Sequence, residues 1–356
     1  MPTPEATFGL PKSMLAARLD TQAKRISVER VPLPSPGPRD VLIQVKACGI
    51  CLSDIHLIDG TISTRHTVVT PGHEPAGIVT SVGRDVPRWR AGDRVIVDSG
   101  RSCGECESCA RGLRDRCTDP RIIGVDTDGA WAQYVCVPFE CLCPIPANLP
   151  FDQAALMADA VSTPFAALVH TADVGPGDSV GLWGIGGLGY HAVQIAALCG
   201  AAPVVAIDPR ESARSRALQV GADVALDPTA ADFEQRISEV TNGRGLDVAV
   251  DLVGSNDVLR QAERNVARRG RIVVVGLSDQ SIQLGTSEVF GIRKHRLLGH
   301  LGYSREDLET VASLTGWGRL DLSQSVSATY PLSEIERALA HLTDRASDVI
   351  RVVVSP

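Results

Sequence analysis

Apolar positions keep one rhythm at the two ends of this chain and another in its middle. In the first 150 residues they form short β-branched runs bounded by Gly, Pro or Asp, as in DVLIQVKA (40–47) and GDRVIV (92–97), which predict strands. Turn signals such as PSPGP, TPGH and RWRAGD interrupt these runs, so this half is expected to be mainly β with irregular connections.

From about residue 177 the texture becomes strand, helix, strand. DSVGLWG reads as an apolar strand, GLGYHAVQIAALCG as a helix ending in glycine, and APVVAID as a second strand. PRESARSRALQVGAD follows as a polar-faced helix and DVALDP as a third strand, and LDVAVDLVG, GRIVVVGL and RLLGHLG supply further apolar runs. Alternation of this kind predicts an α/β fold with a doubly wound parallel sheet. The last fifty residues, with an amphipathic helix in LSEIERALAHL and the strand VIRVVV, return to the first texture. The tail is therefore expected to rejoin the first domain, leaving the α/β unit inserted in the middle. No internal repeat or low-complexity segment interrupts this plan.

At 356 residues the chain exceeds one ordinary core, so two domains are expected. An apolar content of 44% with 22% charged residues belongs to a soluble globular protein. The formal charge of −7 offers no basic excess to neutralise phosphates, which argues against nucleic-acid and anionic-membrane partners. The opening residues lack a basic flank followed by an apolar run, and no stretch is long and apolar enough to span a bilayer. A cytoplasmic location is the expectation.

That expectation bears on CGECESCARGLRDRC, which packs Cys103, Cys106, Cys109 and Cys117 into one short segment. A disulfide knot and a metal site compete there, and a reducing cytoplasm favours metal. The x2, x2, x7 spacing suits four thiolates around tetrahedral zinc, and Gly104 and Gly112 permit the tight turns such a knot needs. With every position filled by protein, this ion holds a lobe (99–118) in shape and does no chemistry.

Gly184, Gly186 and Gly189 form G-x-G-x-x-G after an apolar strand and at the start of a helix. The pattern is weak alone. In this context the glycines let a pyrophosphate approach the helix N-terminus. Asp208, at the end of the next strand, can accept hydrogen bonds from ribose hydroxyls and would repel a 2′-phosphate. NAD is favoured over NADP, with Arg210 and Arg214 near enough to soften the preference. An open metal site is suggested by Cys51 in GICLSDIH and His73 in TPGHEPAGIV, although each residue can equally be buried packing.

Four landmarks in order, G-I-C-x-S-D-x-H, G-H-E-x-x-G, the four-cysteine lobe and the glycine loop after a strand, make the chain resemble the zinc-dependent medium-chain alcohol dehydrogenases over nearly its full length. The resemblance implies a GroES-like catalytic domain formed by both chain ends (1–168 and 303–356), a dinucleotide-binding domain (169–302), and a cleft between them. It implies Cys51 and His73 as ligands of a catalytic zinc, with Glu74 as the acidic neighbour. Ser53 and His56 match the groups that relay the substrate proton outward. Asp54 and Arg351 match a pair tying the tail to the zinc region and the cofactor phosphate. Beyond the glycines and Asp208, cofactor contacts fall on Gly187 and Leu188 in the loop, on Arg210, and on Val253 and Val275 in later apolar runs.

The third ligand departs from the family's commonest pattern, a cysteine. Here LMADAVSTPFAAL puts Asp159 at that position, and a carboxylate is an acceptable zinc ligand. Asp159 can instead be a helix N-cap, in which case Cys143 is the fallback ligand. Cys48, Cys136, Cys141, Cys143 and Cys199 otherwise read as packing residues. Two zinc ions per chain, one catalytic and one structural, are thus expected. An open zinc acidifies an alcohol oxygen, NAD takes the hydride, and His56 passes the proton to solvent.

The resemblance lines the substrate pocket with Trp131, Ser99 and Ile62, where Trp131 can equally be a packed core indole. It also implies a homo-oligomer, dimer or tetramer, acting on a small alcohol or carbonyl compound. Three rival readings remain distinguishable. A zinc-free reductase would lack the Cys51–His73 pair and the lobe; a polyol dehydrogenase shares the mechanism; a non-catalytic zinc and nucleotide sensor would bind without turnover.

Overall fold

The computed structural model describes residues 9–113, 116–344 and 347–356. The chain divides into two compact units, Met1–Asp159 with Ser304–Pro356, and Ala160–Tyr303. Residues 160–168 and Tyr303, counted with the catalytic domain from sequence, group with the second unit.

In the first unit the strand Asp40–Ile50 is the hub. Its alternate side chains, and nearly all of those after Val45, are buried. It pairs antiparallel with Glu74–Val82 along its length, with Tyr134–Pro138 at its start and with Arg351–Ser355 at its end. Leu142–Pro144 and Arg94–Val97 continue the sheet on one side, and Val326–Pro331 pairs in parallel with Arg351–Ser355 on the other. The expected closure of the two chain ends is therefore a sheet pairing. Val352, Val353 and Val354 are all 0% exposed, each contributing about 1.5–3 kcal/mol by burial. That hydrophobic gain anchors the terminal strand and carries Arg351 inside with it.

This pairing has a functional result. It sets residues 49–51, 73–74 and 351 side by side, although the last lies far down the chain. The short helix Leu52–Asp59 starts directly after Cys51 and ends at Gly60, whose φ of 89° gives the left-handed turn that favours glycine.

The second unit holds a parallel sheet, in the order Val224–Leu226, Val204–Ile207, Val180–Trp183, Leu246–Asp251, Val266–Val274, Arg296–Gly299. Strand order reverses direction between Val180–Trp183 and Leu246–Asp251, the switch point where open α/β sheets bind ligands. The expected runs all overlap these strands, and the first five residues of GRIVVVGL (270–277) form the end of the longer Val266–Val274. Among the described residues, no helix is long and apolar enough to cross a membrane.

Candidate active site

Cys51, His73, Glu74 and Asp159 come together in the first unit, each offering one donor atom, all within 4.8 Å of one another. Three local structures deliver them. Cys51 sits at the N-cap of Leu52–Asp59; His73 and Glu74 lead into the strand Glu74–Val82; Asp159 rides in a π-helical turn, Met157–Val161. A π-turn widens the helix locally and often marks a functional position. Asp159 is not an N-cap. Cys143 lies outside this cluster, its thiol facing the Pro144 carbonyl at 3.8 Å.

Asp54 organises the two leading donors. Its Oδ2 accepts from the Cys51 backbone N–H at 2.8 Å, and its Oδ1 stands 3.1 Å from His73 Nδ1. That contact assigns the proton to Nδ1 and leaves Nε2 as the electron-pair donor, the arrangement of metal-binding histidines. His73 Nε2 points at the cluster, 3.7 Å from Asp159 Oδ2 and 3.4 Å from Ser53 Oγ. Burial opposes protonation of His73, yet the Asp54 and Asp159 carboxylates hold its basicity well above the ordinary imidazole value.

Glu74 is 0% exposed, and neither of its oxygens accepts a hydrogen bond among the described residues. Burial pushes its carboxyl up to about 8, against the pull of Arg351 and with the push of Asp159. Arg351 Nη2 stands 2.9 Å from Glu74 Oε1 and 3.5 Å from Asp159 Oδ2, and Nη1 donates to the Ile50 carbonyl at 3.4 Å. The contact with Glu74 is close but misaligned for a hydrogen bond, so it counts as an ion pair. Arg351 is thus spent on Glu74 and Asp159 and is 2% exposed, whereas sequence reading paired it with Asp54. Buried donors of sulfur, nitrogen and oxygen type, with an unsatisfied carboxylate beside them, fit a zinc ion.

Ser53, His56 and Asp59 follow one another at three-residue intervals on Leu52–Asp59 and share a face. Ser53 and His56 are half-buried, and His56 Nδ1 lies 3.7 Å from Asp59 Oδ2, whose side chain is 49% exposed.

The lobe is the second donor cluster. Cys103, Cys106, Cys109 and Cys117 lie within 4.8 Å of one another and are half-buried. The Cys103–Cys109 sulfur separation of 3.9 Å is far too long for a disulfide. Backbone N–H groups of Cys103 and Cys106 donate to Cys117 and Cys103 sulfurs at 3.2 and 3.3 Å, which favours thiolates. A backbone bond with Thr118 draws Cys106 down to about 6, while burial pushes Cys109 up to about 11.

In the second unit, Gly184 has φ 91°, and a Cβ at Gly189 would fall 2.0 Å from the Gly184 carbonyl oxygen. Both glycines answer to the protein's own packing. Gly186 does not: a Cβ there would meet nothing within 4 Å. Gly187 accepts a bond from His191 Nδ1, and Leu188 caps the helix Gly189–Leu198. Val253 and Val275 lie just past the ends of Leu246–Asp251 and Val266–Val274. Asp208 is 3% exposed and already occupied, accepting from the Ile185 N–H at 2.8 Å and from Arg210 Nε at 3.1 Å. Arg214 instead donates to the Asp208 and Pro209 carbonyls.

Trp131 is 0% exposed and packed in the hydrophobic core of the first unit, as in the core-indole alternative, with Ile62 against the same cluster. Ser99 is buried as well. Cys48 and Cys141 join that core, consistent with packing roles. Sequence reasoning missed the Glu74–Arg351 pair, though a lone arginine inside VIRVVV was the signal: a buried cation requires a buried anion.

Residues 37–147 match the family described as alcohol dehydrogenase GroES-like domain, and residues 187–316 match zinc-binding dehydrogenase. The chain is 32% identical to the L-threonine 3-dehydrogenase of Pyrococcus furiosus over 84% of this chain and 86% of that one. It is 31% identical to the NAD-dependent alcohol dehydrogenase of Sulfurisphaera tokodaii over 92% and 96%. The cobalt- and zinc-bound thermostable alcohol dehydrogenase of Pyrobaculum aerophilum superposes with a TM-score of 0.84 at 28% identity, over 97% and 100% of the two chains. Fold and matches together define a zinc-binding dehydrogenase. The chain belongs to the zinc-dependent medium-chain alcohol dehydrogenase family.

Proposed function

We propose that this dehydrogenase interconverts an alcohol and its aldehyde or ketone with NAD(H), using a zinc ion held by Cys51, His73 and Asp159. A second zinc, held by Cys103, Cys106, Cys109 and Cys117, shapes the lobe. The observation that carries the reading is the buried meeting of sulfur, nitrogen and oxygen donors within 4.8 Å, from segments distant in sequence. Three protein ligands leave a fourth position for substrate.

Zinc held there supplies Lewis acidity, which polarises an alcohol or carbonyl oxygen. NAD on the glycine loop supplies the hydride acceptor. The chain's own residues do the rest. Asp54 fixes the His73 tautomer and the Cys51 backbone at once. Ser53 accepts the substrate proton, His56 carries it one helical turn outward, and exposed Asp59 hands it to water. Arg351 balances the charge of Glu74 so that two acidic groups can share one buried site.

Asp208 supports NAD over NADP, and its pairing with Arg210 tempers the repulsion of a 2′-phosphate. A homo-oligomer is supported by the edge strand Arg296–Gly299 with nearby Ile292 and Leu301, 59% and 73% exposed. A cytoplasmic setting is supported by ten free thiols.

The test is NAD reduction over primary, secondary, cyclic and polyhydric alcohols, with metal analysis of the same protein. Turnover with two zinc ions per chain is expected. A single ion, or silence across the panel, would overturn the reading.

A further inference from the structure

The helix Gly189–Leu198 opens irregularly. In a regular α-helix the His191 backbone N–H would bond the carbonyl four residues back, that of Gly187. It turns instead to the Leu188 carbonyl, at 3.1 Å. The Gly187 carbonyl is taken by the His191 ring, whose Nδ1 lies 2.7 Å away. A carbonyl oxygen only accepts, so the proton is on Nδ1. The ring has little room to leave: His191 is 1% exposed and meets the buried Tyr190 ring edge to face, with centroids 5.4 Å apart.

We propose that His191 is a positioning residue for the dinucleotide site: by holding the Gly187 carbonyl, its ring aims the Leu188 N–H at the cofactor's pyrophosphate. The proposal rests on the NAD reading above, which places a pyrophosphate at this helix start. The Gly187–Leu188 peptide is trans and planar, so a carbonyl drawn towards the buried ring turns the Leu188 N–H the opposite way. Among the described residues no backbone carbonyl accepts from that N–H, one of the donors a helix start leaves unpaired. The loop is open at this point, with residues 186–188 half-buried between buried Ile185 and buried Gly189. Two consecutive glycines, Gly186 and Gly187, give the backbone here wide conformational freedom, and they cannot fix a peptide plane by themselves. A side chain anchored in the helix supplies what the glycines lack.

The test measures binding to the full-length protein, with NADH followed by fluorescence and with ADP-ribose and adenosine as competitors. ADP-ribose carries the pyrophosphate and adenosine does not. His191→Leu should weaken NADH and ADP-ribose about tenfold or more, the size expected for a hydrogen bond to a charged group, and leave adenosine unchanged. His191→Asn should restore both, because its Nδ2–H can occupy the place of the ring Nδ1–H. Should the leucine variant fail to fold, His191→Gln, whose amide lies one carbon further out, takes its place with the same expectation. Unmutated affinity for ADP-ribose in the folded leucine or glutamine variant overturns the proposal. Equal losses for adenosine and ADP-ribose overturn it too, since they mark a general disturbance of the unit. So does an asparagine variant that keeps its Tm but not its ADP-ribose affinity. The NAD reading fails separately: unmutated protein that binds neither NADH nor ADP-ribose sinks both, whereas tight binding that ignores every change at residue 191 sinks this proposal alone.

Discussion

The four-cysteine lobe takes its donors from residues 103–117 and leaves them half exposed, whereas the other cluster takes Cys51, His73 and Asp159 from three separate segments, burying the first two and leaving Asp159 half-buried. Among the described residues, the lobe's regular structure is limited to the two-residue strands Gly100–Arg101 and Arg121–Ile122 and the four-residue helix Glu107–Ala110. On the proposed reading a zinc ion would serve as its core, as in small metal knots that fold only on binding. The buried cluster is held by the central sheet, by Asp54 behind His73 and by Arg351 behind Glu74. A closed knot and an open centre held by protein contacts should therefore answer mutation in opposite ways.

The largest effect belongs to Cys51→Ser. Losing the Lewis acid forfeits several kcal/mol of transition-state stabilisation, on the order of a thousandfold or more in kcat/KM. NAD affinity by fluorescence titration should stay near that of the unmutated protein, and persistent turnover would break the contrast. Asp54→Asn comes next, with zinc affinity or kcat/KM falling about 10–100-fold in chelator competition and steady-state assays. Normal zinc retention in that variant would mean that the sheet alone organises the site. His56→Gln should lower kcat by at most about a hundredfold, the lower end of acid–base contributions, with recovery in concentrated amine buffer. Failure of buffer to rescue would remove His56 from the proton path. Cys109→Ser should have the smallest effect on kcat at 25 °C yet remove one zinc per chain and lower Tm by about 5–10 °C. A collapse of kcat as deep as that of Cys51→Ser would show that the lobe is no mere scaffold.

How well each region could be read from sequence follows the same division. The lobe was legible because its geometry is encoded in local spacing, with x2, x2 and x7 between cysteines. The parallel sheet was legible because apolar runs and helices alternate, and the glycine loop because it follows a strand. Cys51 and His73 were legible as candidate ligand types, but the addition of Asp159 came only through family resemblance, since no spacing rule spans such separations. Asp54 was read as a partner of Arg351; it instead joins His73 and Cys51, a choice made by helix capping at Leu52–Asp59. The π-turn under Asp159 left no trace in composition. Trp131 was ambiguous for a physical reason: a large aromatic side chain suits a pocket wall and a core equally, and only packing decides.

The strand that carries Arg351 also sets an order of events during synthesis. Glu74 leaves the ribosome 277 residues before Arg351, with the whole of Ala160–Tyr303 in between. At about 5–20 residues per second, that interval is roughly 15–60 s. Throughout it the nascent first unit lacks both the guanidinium that neutralises its buried acid and the three valines that close its sheet. The inserted unit, which is contiguous, is free to fold before the unit that surrounds it is complete.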